Sequence, residues 1–572
     1  MKDERTQQLS HNRIIVTGDA SGEVLVCQEG LSFWGGVDPE TGVIVDAHHP
    51  NHGDSIAGRC LLMPTSRGSC SGSGVLLQLA LNRLAPAMII FTETEQVLTL
   101  GAIVCDRFFS STIPIICLTK DCYAAVANEI WIDLKNSQLQ VEGKLNIALE
   151  PIYMDQLNLS ESDQEYLRGD HGQVAKAAME TIVIMGAVEN ASELVDVEKG
   201  HIDGCILAHD ANLIFAEKMV ELGARVNIPT TINAISVDRE NWQQSGLSKD
   251  FGKRASRLAE AYVDMGVDPT FTCAPYLLNT RPQFGEKIGW SESNAVIFAN
   301  TVLGARTQKH PDYLDLFIAM TGRAPSVGVY STHGRAARMN IQIDIPDKWP
   351  PSDEVLWPLI GWISGKLAPD SIPFLTGLET LTPTIDDLKA LCAAFGTTSG
   401  APMLHILGHT PEAFYQTQSK LPTLRVTSEN LREAWLELNR GLEKIDLVAV
   451  GSPHASIDEI RRITVLLAGR KCHQNTYMKI TTSRETMKLA DAEGITEKLK
   501  KSGVQLIPDM CWCSIVEPIF PVDAEGLMTN SGKYAHYAHG LSNRHSRLGS
   551  LEDCVNAAIS GCASRNPPHW LA

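Results

Sequence analysis

Up to about residue 145 the apolar positions come in short runs rather than at helical spacing. Gly22–Val26, Gly42–Asp46, Ala87–Phe91 and Ile113–Leu118 are each set off by Gly or Pro and read as strands. Gly74–Leu84 follows a loop of small residues and predicts a helix. Together they describe a compact β/α domain of short strands around one or two helices. The texture changes near residues 145–152. Ser162-Asp163-Gln164-Glu165 has the form of a capping box, in which Ser accepts from an amide and Glu reaches back. It leads into Val174, Ala178, Ile182 and Met185 at helical spacing. Beyond it, helix-like stretches alternate with the apolar runs Cys205–Ala208, Val226–Pro229, Asp446–Val450, Tyr477–Ile480 and Val504–Pro508. That alternation predicts α/β layers with largely parallel sheets. With no internal repeat or low-complexity linker, residues 1–148 and 149–572 are expected to pack together as a small and a large region.

At 572 residues the chain exceeds what one hydrophobic core serves, and two to four domains are expected. Its 44% hydrophobic and 20% charged residues are ordinary for a globular protein. The 49 basic and 67 acidic side chains leave a net charge of -18. That charge opposes nonspecific adhesion to nucleic acid or anionic membranes, while a local basic site can still hold a small anion. Met1–Gln8 carries mixed charge without an apolar core, unlike a secretory signal, and no apolar stretch is long enough to span a bilayer. Fourteen cysteines without regular spacing do not form a secreted disulfide framework. The expectation is a cytoplasmic protein whose thiols are free, most of them small buried hydrophobes.

Three clusters can carry chemistry. The first, Pro64-Thr65-Ser66-Arg67-Gly68-Ser69-Cys70-Ser71-Gly72-Ser73-Gly74, sits just before the apolar helix. Such a loop can expose backbone N–H groups at a helix start, where the dipole favours an anion, and Arg67 can add a forked contact to a carboxylate. The same donors lower the cost of a serine alkoxide. On composition alone a plain Gly/Ser turn capping the helix is the slightly better reading, because such loops are abundant. The second cluster is dispersed cysteine: Cys273 in Phe271–Tyr276, and Cys511 with Cys513 in Asp509–Cys513. The spacing matches no zinc ribbon, but cluster ligands need to meet only in space. The third is polar residues beside Gly or Pro: Gly451-Ser452-Pro453-His454, Thr529–Tyr534 with Lys533, and Trp290–Asn294. Loop ends of α/β layers are where ligands bind. Spacing alone reaches a cytosolic α/β protein with an anion loop and possible thiolate ligands, and no further.

These clusters together resemble the aconitase X family over nearly the whole chain. Supporting stretches are Pro229-Thr230-Thr231-Ile232-Asn233, Trp290–Val296, Gly304-Ala305-Arg306-Thr307 and Thr529–Tyr537. The resemblance implies an aconitase-like α/β fold: a small swivelling β/α domain followed by a large multi-subdomain α/β/α catalytic region. It places Ser71 as the catalytic base, and Arg67, Ser69, Gly204, Cys205, Asn233, Ser293, Asn294 and Lys533 around the substrate. The fused arrangement implies a hydro-lyase that turns a small hydroxy acid, cis-3-hydroxy-L-proline, into Δ1-pyrroline-2-carboxylate with no obligatory second subunit. Two-subunit relatives imply mevalonate 5-phosphate dehydration as the alternative, and a non-catalytic iron–sulfur sensor is a second one. The family further implies an iron–sulfur cluster on three cysteines. Cys273 and Cys511 fall on two of those positions, and Ser452 stands where the third belongs. Serine is a harder, poorer ligand for iron, so a [2Fe–2S] centre is favoured over [3Fe–4S] or [4Fe–4S]. Cys513, on an extended strand, would point to the same face as Cys511 about 7 Å further on. Cys205, His333 and Cys554 are the other candidates for a third ligand.

Overall fold

The computed structural model describes residues 11–68, 70–141, 145–415 and 421–571. The short N-terminal runs pair into one mixed sheet of nine strands among the described residues. Its middle is parallel: Ala20–Val26, Cys60–Leu62, Met88–Phe91 and Ile115–Cys117 follow one another across the sheet. Cys60–Leu62, Met88–Phe91 and Ile115–Cys117 are buried on both faces and therefore read as continuous apolar runs. Gly42–Asp46 is a shorter element than its composition suggests, a strand only at Val43–Ile44, which pairs with Val37–Asp38. The predicted helix is present as Gly72–Leu81 and packs beside Val97–Phe109. The sheet continues past the change in texture, because Glu150–Pro151 pairs with Arg13–Val16.

The capping box lies two residues before its expected place. Ser160 caps the helix Glu161–Arg168, and Asp163 reaches back in the role expected of Glu165. Asp163 is the shorter acid but also holds the Arg323 guanidinium at 2.7 and 3.0 Å, which fixes it inward. Gly169 ends that helix, and the periodic segment then forms Gln173–Val188. Three parallel sheets follow: three strands around Lys199–Ile202, four around Met339–Ile343, and five around Leu447–Ala455 among the described residues. Cys205–Ala208 and Val226–Pro229 are not strands; they are connections flanking Lys199–Ile202 and Thr230–Ile232. No helix among the described residues is long and apolar enough to cross a membrane.

The two regions share a core. Leu61, Val75 and Ile103 of the small domain belong to the same buried cluster as Ile182, Phe215 and Phe317 of the large one. Polar contacts cross the same boundary: the Ala211 amide donates to Gln78 Oε1 at 2.8 Å, and Arg107 pairs with Glu180. This packing seats the N-terminus of Gly72–Leu81 against the large region.

Candidate active site

The loop entering Gly72–Leu81 is anchored on the next helix. Ser66 Oγ donates to Glu95 Oε1 at 2.5 Å, and the same buried carboxylate accepts from the amides of Val97, Leu98 and Thr99 at 2.9 Å each. Ser73 Oγ donates to the Val97 carbonyl at 2.8 Å. Gly68 takes φ +92°, and a Cβ there would stand 2.3 Å from Ser32 Oγ, so the turn requires glycine. Ser71 is the N-cap residue, and its carbonyl accepts from the amides of Gly74 and Val75 at 3.1 and 3.4 Å. Its hydroxyl, however, does not cap the helix. It is hydrogen-bonded to the carboxyl of Asp312. A serine in the ordinary capping role commits its oxygen to helix amides; this one reaches across to the large region.

Asp312 belongs to a group of buried acids. Burial, then the charge of Asp315, pushes its carboxyl up to about 7, against the Ser71 hydrogen bond that lowers it. Its Oδ1 is buried with no hydrogen-bond partner among the described residues. Asp315 is pushed up to about 6 by burial, while the amides of Asp203 and Leu316 donate to it at 2.8 Å each. Asp203 is held well above its usual value by burial, then by Asp312 and Glu292, although the Asn233 amide donates to it. Spacing gives little sign of this group, since 112 positions separate Asp203 from Asp315. The one hint is His310-Pro311-Asp312-Tyr313-Leu314-Asp315, where two acids three apart open a helix.

Glu292 connects the acids to the thiols. One oxygen accepts from the Asn294 and Ala295 amides at 2.5 and 3.4 Å, and the other from Lys533 Nζ at 2.7 Å. Burial works against the Lys533 charge, but Glu292 and the thiols of Cys511, Cys513 and Cys273 outweigh it and raise the ammonium well above its usual value. Asn294 donates to the Cys273 carbonyl at 3.2 Å and accepts from the Tyr276 hydroxyl at 2.9 Å. Cys205 donates its thiol proton to the carbonyls of Asn233 and Ala234 at 3.0 and 3.1 Å. Gly204 lies so close to Tyr262 that a Cβ would stand 2.8 Å from its hydroxyl. The structure thus gathers Ser71, Gly204, Cys205, Asn233, Asn294 and Lys533 around the buried acids, while Ser293 follows Glu292 as the first residue of Ser293–Phe298. Arg67 is directed elsewhere: it is exposed and pairs with Glu29 and Asp46 of its own domain at 3.3 and 3.1 Å. Ser69 lies outside the described residues.

Cys273 and Cys511 are buried with their sulfurs 3.8 Å apart. Two thiolates on one tetrahedral ion, with bonds of about 2.3 Å, stand about 3.8 Å apart, so this pair fits an iron of the implied cluster. The His454 amide donates to the Cys273 sulfur at 3.2 Å, and hydrogen bonds to sulfur tune such clusters. The Cys513 geometry differs from the extended one expected of it. Residues 511–514 form a turn closed by the Ser514 amide on the Cys511 carbonyl at 2.9 Å, which brings the Cys513 thiol into hydrogen-bond contact with Cys511. The Cys273 and Cys513 contacts hold the Cys511 thiol well below its usual value. Ser452 lies on Leu447–Ala455 two residues before His454, with its carbonyl accepting from Ser531 Oγ. Among the described residues no group of three or more His, Cys, Asp or Glu side chains is arranged to hold a metal ion. The seat is therefore a thiol pair, with Cys513 beside it. Cys554 sits in a separate core with Val448 and Ile460, and His333 is exposed.

Known proteins share this architecture. Sequence patterns of the aconitase X swivel, first, second and third domains match residues 9–143, 156–333, 337–436 and 445–560. Cis-3-hydroxy-L-proline dehydratase of Pseudomonas aeruginosa is 43% identical, covering 98% of this chain and 98% of its own. The protein of the same name from Hypocrea jecorina is 41% identical, covering 97% and 96%. The crystal structure of Thermococcus kodakaraensis aconitase X (holo-form) aligns at 30% identity with a TM-score of 0.63, covering 70% of this chain and 100% of its own.

Proposed function

Since the chain belongs to the aconitase X family, we propose that it is a cis-3-hydroxy-L-proline dehydratase, removing the Cα proton and the 3-hydroxyl of that amino acid. The enamine left behind tautomerises to Δ1-pyrroline-2-carboxylate. The observation that carries the choice of substrate, beside the full-length relatives, is the charge around Ser71. Asp203, Asp312, Asp315 and Glu292 crowd a space in which Lys533, shared with Glu292, is left to meet a single carboxylate and not a phosphate as well. Such a site suits a cationic ring nitrogen and repels the phosphate of mevalonate 5-phosphate.

In this reading Ser71 is the base. Its own proton passes along the hydrogen bond to Asp312, whose carboxyl, pushed up to about 7, accepts one readily near neutral pH. The serine oxygen then takes the Cα proton. In the cis isomer the hydroxyl lies on the ring face opposite that hydrogen, so it departs away from Ser71. Lys533, Ser293 and Asn294 orient the substrate carboxylate, and Asn233 and Gly204 shape the wall beside Asp203. Cys273 and Cys511, with Ser452 or Cys513 as a third ligand, would hold an iron–sulfur cluster, a [2Fe–2S] centre being favoured. When bound, that cluster supplies a Lewis acid for the hydroxyl or the carboxylate. The proposal includes a cytoplasmic location and action as a single chain, since both full-length relatives carry the small and large regions together.

Saturation kinetics of anaerobically purified protein with both candidate compounds test the substrate. Turnover of cis-3-hydroxy-L-proline is expected; dehydration of mevalonate 5-phosphate alone would overturn the proposal.

A further inference from the structure

A cavity of about 710 Å³ opens between the turn Trp242–Gln244, the helix Lys249–Asp264 and the helix Arg484–Ala492, and none of the residues placed around Ser71 lines it. Five cations face it, Arg239, Lys253, Arg257, Arg484 and Lys488, against the carboxylates of Glu240 and Glu260. In a chain of net charge -18 this is a local reversal of sign. Two of the five are already matched: Arg257 pairs with Glu217, and Arg484 with Asp238, Glu240 and Asp509. Arg239, Lys253 and Lys488 have no carboxylate partner among the described residues. Ser256, on the wall, has a buried hydroxyl with no hydrogen-bond partner among those residues.

The cavity also touches the Cys273 loop and is linked to the Cys511 loop through Arg484. Phe271 forms part of its floor at φ +38° under the Arg239 guanidinium, 5.1 Å from the ring centroid, and Cys273 follows two residues later. Asp509, the Arg484 partner, has φ +66° and precedes Cys511 by two residues. Non-glycine residues in this region of φ need outside support. The arginines facing the cavity provide it on both loops.

We propose that this cavity is a second ligand site, for a small molecule bearing two or more negative charges, a phosphate ester or a polycarboxylate. Arg239, Lys253 and Lys488 neutralise it and Ser256 donates a hydrogen bond. The volume is that of a small-molecule pocket rather than of a single-atom ion site, and the three unmatched cations still outnumber the unmatched carboxylate of Glu260, which leaves room for more than one anionic group.

Calorimetric titration of the full chain with inorganic pyrophosphate and, separately, with citrate tests this. Saturable one-to-one binding of at least one probe is expected, and the probe that binds tells phosphate ester from polycarboxylate. The double variant Lys253→Glu/Lys488→Glu changes two exposed side chains and leaves the core untouched. It should weaken binding at least tenfold, whereas Ser71→Ala should leave it unchanged. Absence of saturable binding by both probes overturns the proposal, as does binding that the double variant leaves intact. Binding abolished by saturating cis-3-hydroxy-L-proline overturns it too, because the anion would then occupy the space beside Ser71.

Discussion

Ser71 begins a helix without capping it, and the hydroxyl that capping would have consumed is bonded to Asp312 instead. If Asp312 takes the serine proton, it must be ionised at the start of each turnover. Its carboxyl titrates at about 7, so kcat/KM should rise as pH climbs through about 7 and level off above it. Asp312→Asn should remove that rise and lower activity by a factor of roughly 10² to 10⁴, the usual contribution of a positioned proton acceptor. A pH–rate profile of the variant checks both effects. The same shift acts on stability. The folded chain binds this proton more tightly than the unfolded one, where aspartate titrates near 4, so the contribution is full below about pH 4 and is lost as pH rises through about 7. Thermal unfolding across that range should show a shallower decline for Asp312→Asn than for the parent chain. At this scale the sequence named the serine through resemblance, and its loop composition alone slightly favoured a plain capping turn. It could not name Asp312, because burial and neighbouring acids decide that role, and both arise only when separate segments meet.

Single elements were legible in proportion to how local their causes are. Met88–Phe91, Tyr477–Thr482 and Val504–Pro508 stand where their apolar runs place them, because parallel strands buried along most of their length carry that signal themselves. The capping box moved by two residues because Asp163 is also fixed by Arg323, a partner far away in sequence. Cys205–Ala208 has the apolar content of a strand but is a connection, since the Cys205 thiol is bonded to two backbone carbonyls of the neighbouring segment. Two elements give direct tests. Gly68→Ala forces a side chain into a left-handed turn against Ser32. A cost of about 1–3 kcal/mol is expected at such a position, together with lost activity, because the loop then presents Ser71 differently; denaturant unfolding and a turnover assay read the two effects. The turn at 511–514 brings Cys513 to Cys511, which an extended strand would not do. Iron and sulfide content of anaerobically purified Cys513→Ser and Ser452→Ala should therefore differ: the variant that loses the third ligand falls clearly below the other. Equal, full loading of both would exclude the two as ligands.

Over the whole molecule, the α/β layering and the packing of a small domain on a large one follow from patterns spread along hundreds of residues, which is why they survive errors in individual elements. The reaction site does not have that redundancy. It forms where Gly72–Leu81 of the small domain meets the start of Leu314–Thr321, with Glu292 and Lys533 carrying the acidic group on to the thiols. Its charge balance, the property proposed to select an amino acid over a phosphate ester, exists only in the assembled chain. The central claim is dehydration of cis-3-hydroxy-L-proline with Ser71 as base. The most direct test is the rate of Δ1-pyrroline-2-carboxylate formation from that substrate, measured side by side for the anaerobically purified chain and its Ser71→Ala variant. The parent chain should turn the substrate over, and the variant should lose several powers of ten in rate with an unchanged unfolding transition. Substantial residual turnover by Ser71→Ala, or none by the parent, would contradict the claim.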